Sequence, residues 1–258
     1  EVLSATAAPS PAPHASTTEV EQATSPVLVA EVPAPDVTSN VDEGLLQARD
    51  VVTEPLAGQL TKRMKRALQD EQNASLDRLR TSRSSVTVDH ILASPDDQRL
   101  PYRTLAAPFL EQAARAGSSA SRFGPVSVAI DDLAEQLADD LAGALRSRLD
   151  AVLTAGASEE LDLSGIGERI SSVYRDWKVQ KLERLAMHYL VAARERGGFL
   201  AHPEGTLLRW LVDDEGPCPD CEDNALAGPT PRGETFPTGQ LHPPAHLGCR
   251  CLLTPSRN

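Results

Sequence analysis

All four cysteines of this 258-residue chain, Cys218, Cys221, Cys249 and Cys251, lie in its last 41 residues. They fall in a stretch beyond Gly198 where proline, glycine and polar residues leave little helical or strand signal between two short apolar runs. A segment that long without regular structure needs a cross-link to hold its shape. The pattern supplies one: Cys218-Pro219-Asp220-Cys221, then 24 residues, then His246-Leu247-Gly248-Cys249-Arg250-Cys251. A C-x-x-C knuckle sets two sulfurs at a separation suited to one tetrahedral ion, with Zn–S bonds of about 2.3 Å, and a second pair from downstream completes the shell. Two such groups with a histidine between them read as a metal site more readily than as disulfides. With no export signal, the default compartment is a reducing cytoplasm, where thiols stay free to bind metal. Thiolate softness and a closed site favour zinc over magnesium or calcium. Structural zinc contributes roughly 10–16 kcal/mol of apparent binding energy at neutral pH, ample to fix a core-poor loop.

Five candidates compete for four places. Cys218 and Cys221 form the first pair and Cys249 is third; the fourth is His246 or Cys251. Neighbours one apart, as in Cys249 and Cys251, share an ion only where the backbone turns tightly. If Cys251 opens a strand, its side chain can point into the core and His246 binds instead, which tips the reading toward a Cys3His site while leaving Cys251 open. Arg250, wedged between two of these cysteines, is expected to stabilise thiolates or a carboxylate from outside the coordination shell.

The remainder reads as helix. Aromatic residues are 3% of the chain, so long amphipathic helices fit better than a β-sandwich. Residues 1–40 contain no lysine, arginine or aromatic residue but carry Pro9, Pro11, Pro13, Pro26, Pro33 and Pro35. Such a segment cannot bury enough apolar area to offset about 1–2 kcal/mol of backbone entropy per residue, so a flexible arm is expected, with Val27-Leu28-Val29 able to dock on a partner as a short strand. From Val41 a helical stripe takes in Leu45, Val52, Leu56, Leu60, Met64, Leu68, Leu76 and Leu79, and Pro55 is expected to start a second helix or kink the first. A loop around Ser94–Asp97 and Leu100-Pro101 should lead to a helix from Thr104 to Ala116, ending at Gly117. The clearest helix runs from about Ser127 to Thr154, with Leu133, Leu137, Leu141, Leu145, Leu149 and Leu153 four apart and Gly156 as a stop. Another runs from Ser164, as N-cap, to Arg196, with Gly197-Gly198 as terminator. These two should pack antiparallel through their leucines. Leu207–Val212 and Cys251–Thr254 look like strands.

The expected fold class is therefore mainly α: long antiparallel helices with a small C-terminal zinc-stapled α/β module. It divides into a Pro/Ala-rich arm (1–40), a helical region (41–125), a helical hairpin (126–198) and a zinc-binding module (199–258). No apolar run approaches the roughly 20 residues of a membrane span. The first residue is Glu1 rather than Met, which suggests a processed or truncated chain.

The tail also resembles a known family. The run Trp210, Asp213-Asp214, Cys218-Pro219-Asp220-Cys221, Gly233, Pro237, Gly239, Pro243-Pro244-Ala245-His246 and Cys249-Arg250-Cys251 is similar to the C-terminal domain of phage Mu F-like minor head proteins. That family shows a Trp-bearing strand, an acidic turn, a C-x-x-C, a Gly/Pro-rich middle and a final PP-x-H-x-x-C-R-C. The likeness covers about 170–255, its specific part 207–254. Its usual Arg/Thr/Glu signature is only loosely present as Leu182-Glu183-Arg184. The resemblance implies a minor component of a tailed-phage head, associated with portal and capsid, present in few copies, able to bind DNA or assist its delivery, and located in the virion after assembly in the bacterial cytoplasm. The zinc would be structural, with no catalysis.

Charge bears on partners. The net charge of −12 repels nucleic acid overall. Locally, Lys62, Arg63, Lys65, Arg66, Arg78, Arg80 and Arg83 outnumber Asp70, Glu71 and Asp77, a surface able to meet packaged DNA or an acidic portal face, or to serve as an ordinary solvated helix face. The acids Asp131, Asp132, Glu135, Asp139 and Asp140 are expected to answer it. Two rivals remain. His202-Pro203-Glu204 followed by Pro217-Cys218-Pro219-Asp220-Cys221 spells a zinc-deaminase signature, but only twelve residues separate Glu204 from Pro217, too few for the helix and strands such a fold places there. A free-standing zinc-ribbon nucleic-acid binder would need a basic, aromatic surface, whereas residues from Gly216 onward carry three arginines against four acids and only Phe236 as a stacking ring.

Overall fold

A computed structural model describes residues 37–82, 86–213 and 218–256, with side chains from residue 41 onward. The chain is mainly helical, with a small three-stranded antiparallel sheet. Helix α1 spans Val37–Thr81. A single turn, α2 (Val88–Ile91), precedes α3 (Pro95–Ser119) and α4 (Asp131–Ser158). The last rod joins α5 (Leu163–Asp176), a π-turn over Trp177–Lys181, and α6 (Leu182–Ala201). The expected arm lies outside the described residues except for its last four, Val37–Asn40, which belong to α1.

Cross-helix pairs fix the directions. Arg99 and Arg103 of α3 meet Asp139 and Glu135 of α4. Asp140 and Asp132 of α4 meet Tyr189 and Arg196 of α6. Ser75 and Gln69 of α1 meet Tyr174 and Lys178 of the last rod. In every pair the numbers run oppositely, so α4 is antiparallel to both α3 and α6, α1 is antiparallel to the last rod, and α3 and α6 run the same way. The leucines expected to line α4, from Leu133 to Leu153, are all buried in one core with Leu60, Met64 and Leu68 of α1, Tyr102 and Leu110 of α3, and Ile170, Leu185 and Leu190 of the last rod.

The glycines expected to stop helices have other work. A Cβ on Gly117 would lie 1.8 Å from the carbonyl oxygen of Arg194, and one on Gly197 would lie 2.0 Å from that of Ala114. Each glycine thus faces the carbonyl three residues before the other, the relation of two parallel helices crossing in backbone contact. Helix α3 runs past Gly117 to Ser119, and α6 past Gly197-Gly198 to Ala201. Gly156 likewise lies inside α4 and packs on Ile166.

Prolines also mislead. Pro55 lies inside α1, which neither ends nor restarts there, and Pro101 and Pro108 lie inside α3. All three are on exposed positions, where water can hydrate the carbonyl each proline leaves without its usual donor. The expected loop at 94–101 is the start of α3: Ser94 caps it by accepting from the Asp97 amide at 3.2 Å, Pro95 occupies the first turn, and Asp96 and Asp97 favour the positive helix end. Asp162 rather than Ser164 caps α5, its Oδ1 accepting from the Gly165 amide at 2.8 Å. Helix α4 begins at Asp131, four residues later than expected, with Asp131 and Asp132 in its first turn. Its acids pair with arginines of α3 and α6, not with the cations of α1 that they were expected to answer.

One carboxylate is tied into the core. Glu71 accepts from Tyr102 Oη and Tyr174 Oη at 2.8 Å each and from Gln98 Nε2 at 2.9 Å. Burial raises its pKa above the ordinary 4.5 despite these bonds. A raised carboxyl contributes stability that is complete below about pH 4.5 and is lost as pH climbs from there through the folded-state value. Glu71→Gln should remove that contribution. Urea midpoints of both proteins across about pH 4 to 8 should therefore diverge, the wild type losing more stability with rising pH; parallel curves would refute the assignment.

Beyond α6, strand β1 (Leu207–Leu211) is central, between β2 (Thr230–Pro231) and β3 (Leu252–Pro255), with Trp210 opposite Leu253 and Leu211 opposite Leu252. Helix α7 (Pro219–Leu226) and β2 fill the stretch where no regular structure was expected.

Candidate metal centre

The short helix α7 is built around the first knuckle. Cys218 is its N-cap, the sulfur accepting from the Cys221 amide at 3.4 Å, and Pro219 occupies the first turn. That geometry turns Cys221 back toward Cys218. Asn224, fully buried on the same helix, donates to Thr238 Oγ1 at 2.8 Å and accepts from the Thr238 amide at 3.1 Å, so the Gly/Pro-rich middle is tied to α7. The second knuckle turns at Gly248, whose φ of +92° suits glycine, and the Cys249 amide donates to the His246 carbonyl at 3.0 Å.

These turns bring all five expected side chains together. Cys218, Cys221 and His246 form one group of mutually close donor atoms, and Cys221, Cys249 and Cys251 another. Cys221 belongs to both. His246 Nε2 lies 2.9 Å from Cys218 Sγ and 3.5 Å from Cys221 Sγ, and Cys221 Sγ lies 3.6 Å from Cys249 Sγ. A tetrahedron with Zn–S of about 2.3 Å and Zn–N of about 2.0–2.1 Å has S···S edges of about 3.8 Å and S···N edges of about 3.5 Å. The Cys221–Cys249 and Cys221–His246 separations match those edges, while the Cys218–His246 separation of 2.9 Å is shorter than an S···N edge, so the cluster could bind a metal ion once His246 and Cys218 move slightly apart. Cys251 directly precedes β3 and is buried beside Trp210, yet its sulfur still faces Cys221 and Cys249. His246 and Cys251 therefore belong to different groups that share Cys221.

The surrounding core is small. Its fully buried members are Trp210, Phe236 and three of the cysteines, with the Trp210 and Phe236 rings edge to face at 5.1 Å. Within it, a hydrogen bond from Cys251 is the main influence pulling the Cys249 thiol toward thiolate, while burial pushes Cys221 the other way.

Several residues that support this centre carry no motif. On α6, Arg184 donates to the Leu247 carbonyl at 2.9 Å. Glu195, also on α6 and fully buried, accepts from the Leu253 amide of β3 at 2.8 Å. On α1, the buried Arg49 donates to the Arg250 carbonyl and, at 2.8 Å, to Asp213. Arg250 itself reaches carboxylates: Asp50 at 2.7 Å, Asp213 at 3.4 Å and Glu54 at 3.5 Å. Of the two roles expected for it, the structure gives it the carboxylates. Arg49, some two hundred positions from its partner, offered no signal in the sequence.

His202 stands apart from these groups. Its Nδ1 lies 2.7 Å from the Gly198 carbonyl and its ring meets Phe123. Among the described residues, neither metal-competent cysteine group includes it. Lys62, Arg63, Lys65 and Arg66 are exposed, and among the described residues none pairs with an acid; Arg63 lies over the Phe109 ring. Arg78 donates to the Ile91 carbonyl and Arg80 pairs with Asp77, while Arg83 lies outside the described residues. No helix among the described residues is long and apolar enough to cross a membrane. Comparison with family models, with curated proteins and with solved structures gives no match.

Proposed function

We propose that this chain is a structural minor head or portal-associated protein of a tailed phage, prophage or phage-derived particle, with zinc stapling its C-terminal module. What supports the reading is a coincidence of residues. Cys218, Cys221, His246, Cys249 and Cys251, on which the resemblance to Mu F-like proteins rests, are the same residues that cluster in two close donor groups sharing Cys221, with Trp210 packed against them. The ion would be held by cysteines on both sides and walled by Trp210 and Phe236, an environment suited to a structural rather than a catalytic metal. The helical bundle and module would face portal or capsid, in the head interior or at the portal vertex, and the unpaired Lys62, Arg63, Lys65 and Arg66 would meet packaged DNA.

The deaminase alternative needs His202 beside Cys218 and Cys221, and its ring is engaged elsewhere. The ribbon alternative needs an open aromatic surface, and Phe236 is buried against Trp210. The decisive experiment is mass spectrometry of purified particles, measuring copy number and metal together. A few copies per head carrying about one zinc ion per chain are expected. Particles lacking the chain, or carrying it free of metal, would overturn the proposal. Salt-sensitive DNA binding by residues 200–258 would favour the ribbon, and zinc-dependent release of ammonia from a nucleobase, abolished by Glu204→Gln, the deaminase.

A further inference from the structure

Residues 41–51 of α1 are almost without a core of their own. Between residues 41 and 51 only one side chain is buried, and it is Arg49, 1% exposed. The apolar core of the bundle takes up α1 only at Val52, Leu56 and Ala57. An isolated helix of this length is marginal in water, so the segment needs an external hold.

That hold comes from the metal module. Arg49 donates to the carbonyl of Arg250, the residue between Cys249 and Cys251, and to Asp213 just beyond β1. The Arg250 side chain reaches back to Asp50 and Glu54. Arg209 of β1 pairs with Asp42. The contacts are charged, involve Asp42, Arg49, Asp50 and Glu54 along the segment, and are anchored at Arg250, whose two flanking cysteine sulfurs lie in one close donor group.

We propose that the metal centre is a latch for the start of α1: ion binding fixes the Cys249–Cys251 step, which seats Arg49 and holds residues 41–54 on the module. Loss of the ion frees that segment while the bundle from Leu56 onward stays closed. The latch rests on the reading of the cysteine cluster as a zinc site. It makes the conformation of the chain's leading helix dependent on metal occupancy at its far end.

Hydrogen–deuterium exchange on the full chain, zinc-loaded and after chelation, tests this, with zinc content measured in both samples. On chelation, peptides covering 41–54 should exchange on the order of tenfold faster or more, together with those from 207–256, while peptides of α4 and of α1 beyond Leu56 keep their protection. Arg49→Met should give the same loss in 41–54 with zinc still bound. A chain that binds zinc, loses it to chelator and keeps 41–54 protected refutes the latch alone, as does an Arg49→Met protein with that segment still protected. A chain that never carries metal refutes the zinc reading, and the latch falls with it.

Discussion

Gly197→Ala is expected to be among the most damaging single substitutions in this protein, costing roughly 3 kcal/mol or more. The added methyl would lie 2.0 Å from the Ala114 carbonyl oxygen, whereas ordinary carbon–oxygen approaches are about 3.3–3.6 Å. Neither atom can swing away, because both belong to backbone in the middle of packed helices. Relief therefore requires α3 and α6 to part by more than about 1 Å along a crossing that the whole bundle packs around. Gly117→Ala meets the Arg194 carbonyl in the same way and should behave alike. The contrast comes from Gly58 and Gly143, which also lie inside helices but have open space where a Cβ would go. Alanine there should stabilise by up to about 1 kcal/mol, the helix-propensity difference. Denaturant midpoints of the four variants decide the matter. If Gly197→Ala and Gly58→Ala moved stability in the same direction, the close crossing would be wrong.

Those glycines show where sequence reasoning succeeds and where it stops. Leucines four apart mark α4 because its neighbours on both sides bury one stripe, so the period survives into the packed state. The cysteine knuckles are legible for a similar reason: the chemistry of one ion needs donors at short, fixed spacing. Gly117, Gly197 and Pro55 mislead because their local meaning, a helix end, is overridden by partners or solvent that no local window contains. At Gly197 the deciding group is a carbonyl on another helix. At Pro55 it is water on the exposed face. Arg49 was invisible altogether, since an arginine on an exposed-looking helix face says nothing of a carbonyl on the far side of the chain. Helix α7 could have been found, with Pro219 in a first turn that also holds Asp220 and Glu222. It was missed because its cap is a cysteine, which the metal pattern had already claimed.

The substitution expected to have the largest effect on the C-terminal module is Cys221→Ser. Cys221 is the one donor common to both close groups, so removing it breaks the site whether His246 or Cys251 supplies the fourth ligand. If structural zinc contributes roughly 10–16 kcal/mol through four ligands, losing one sulfur should cost on the order of 3 kcal/mol or more, beyond what a 1%-exposed hydroxyl costs for lack of a partner. Three of the five fully buried members of that small core are cysteines, so little apolar packing remains to replace the ion. Zinc content should fall from about one ion per chain to almost none, and thermal melting should lose the transition of residues 207–256. The helical signal of the bundle should persist, because its core excludes the cysteines entirely. The fourth ligand then follows from His246→Ala and Cys251→Ala made separately. The true ligand should lose metal as Cys221→Ser does, and the other should keep it with a modest loss of stability. Retention of zinc by Cys221→Ser, with both melting transitions intact, would mean that Cys221 is not a ligand and that the ion, if it sits here, is held by the other four side chains.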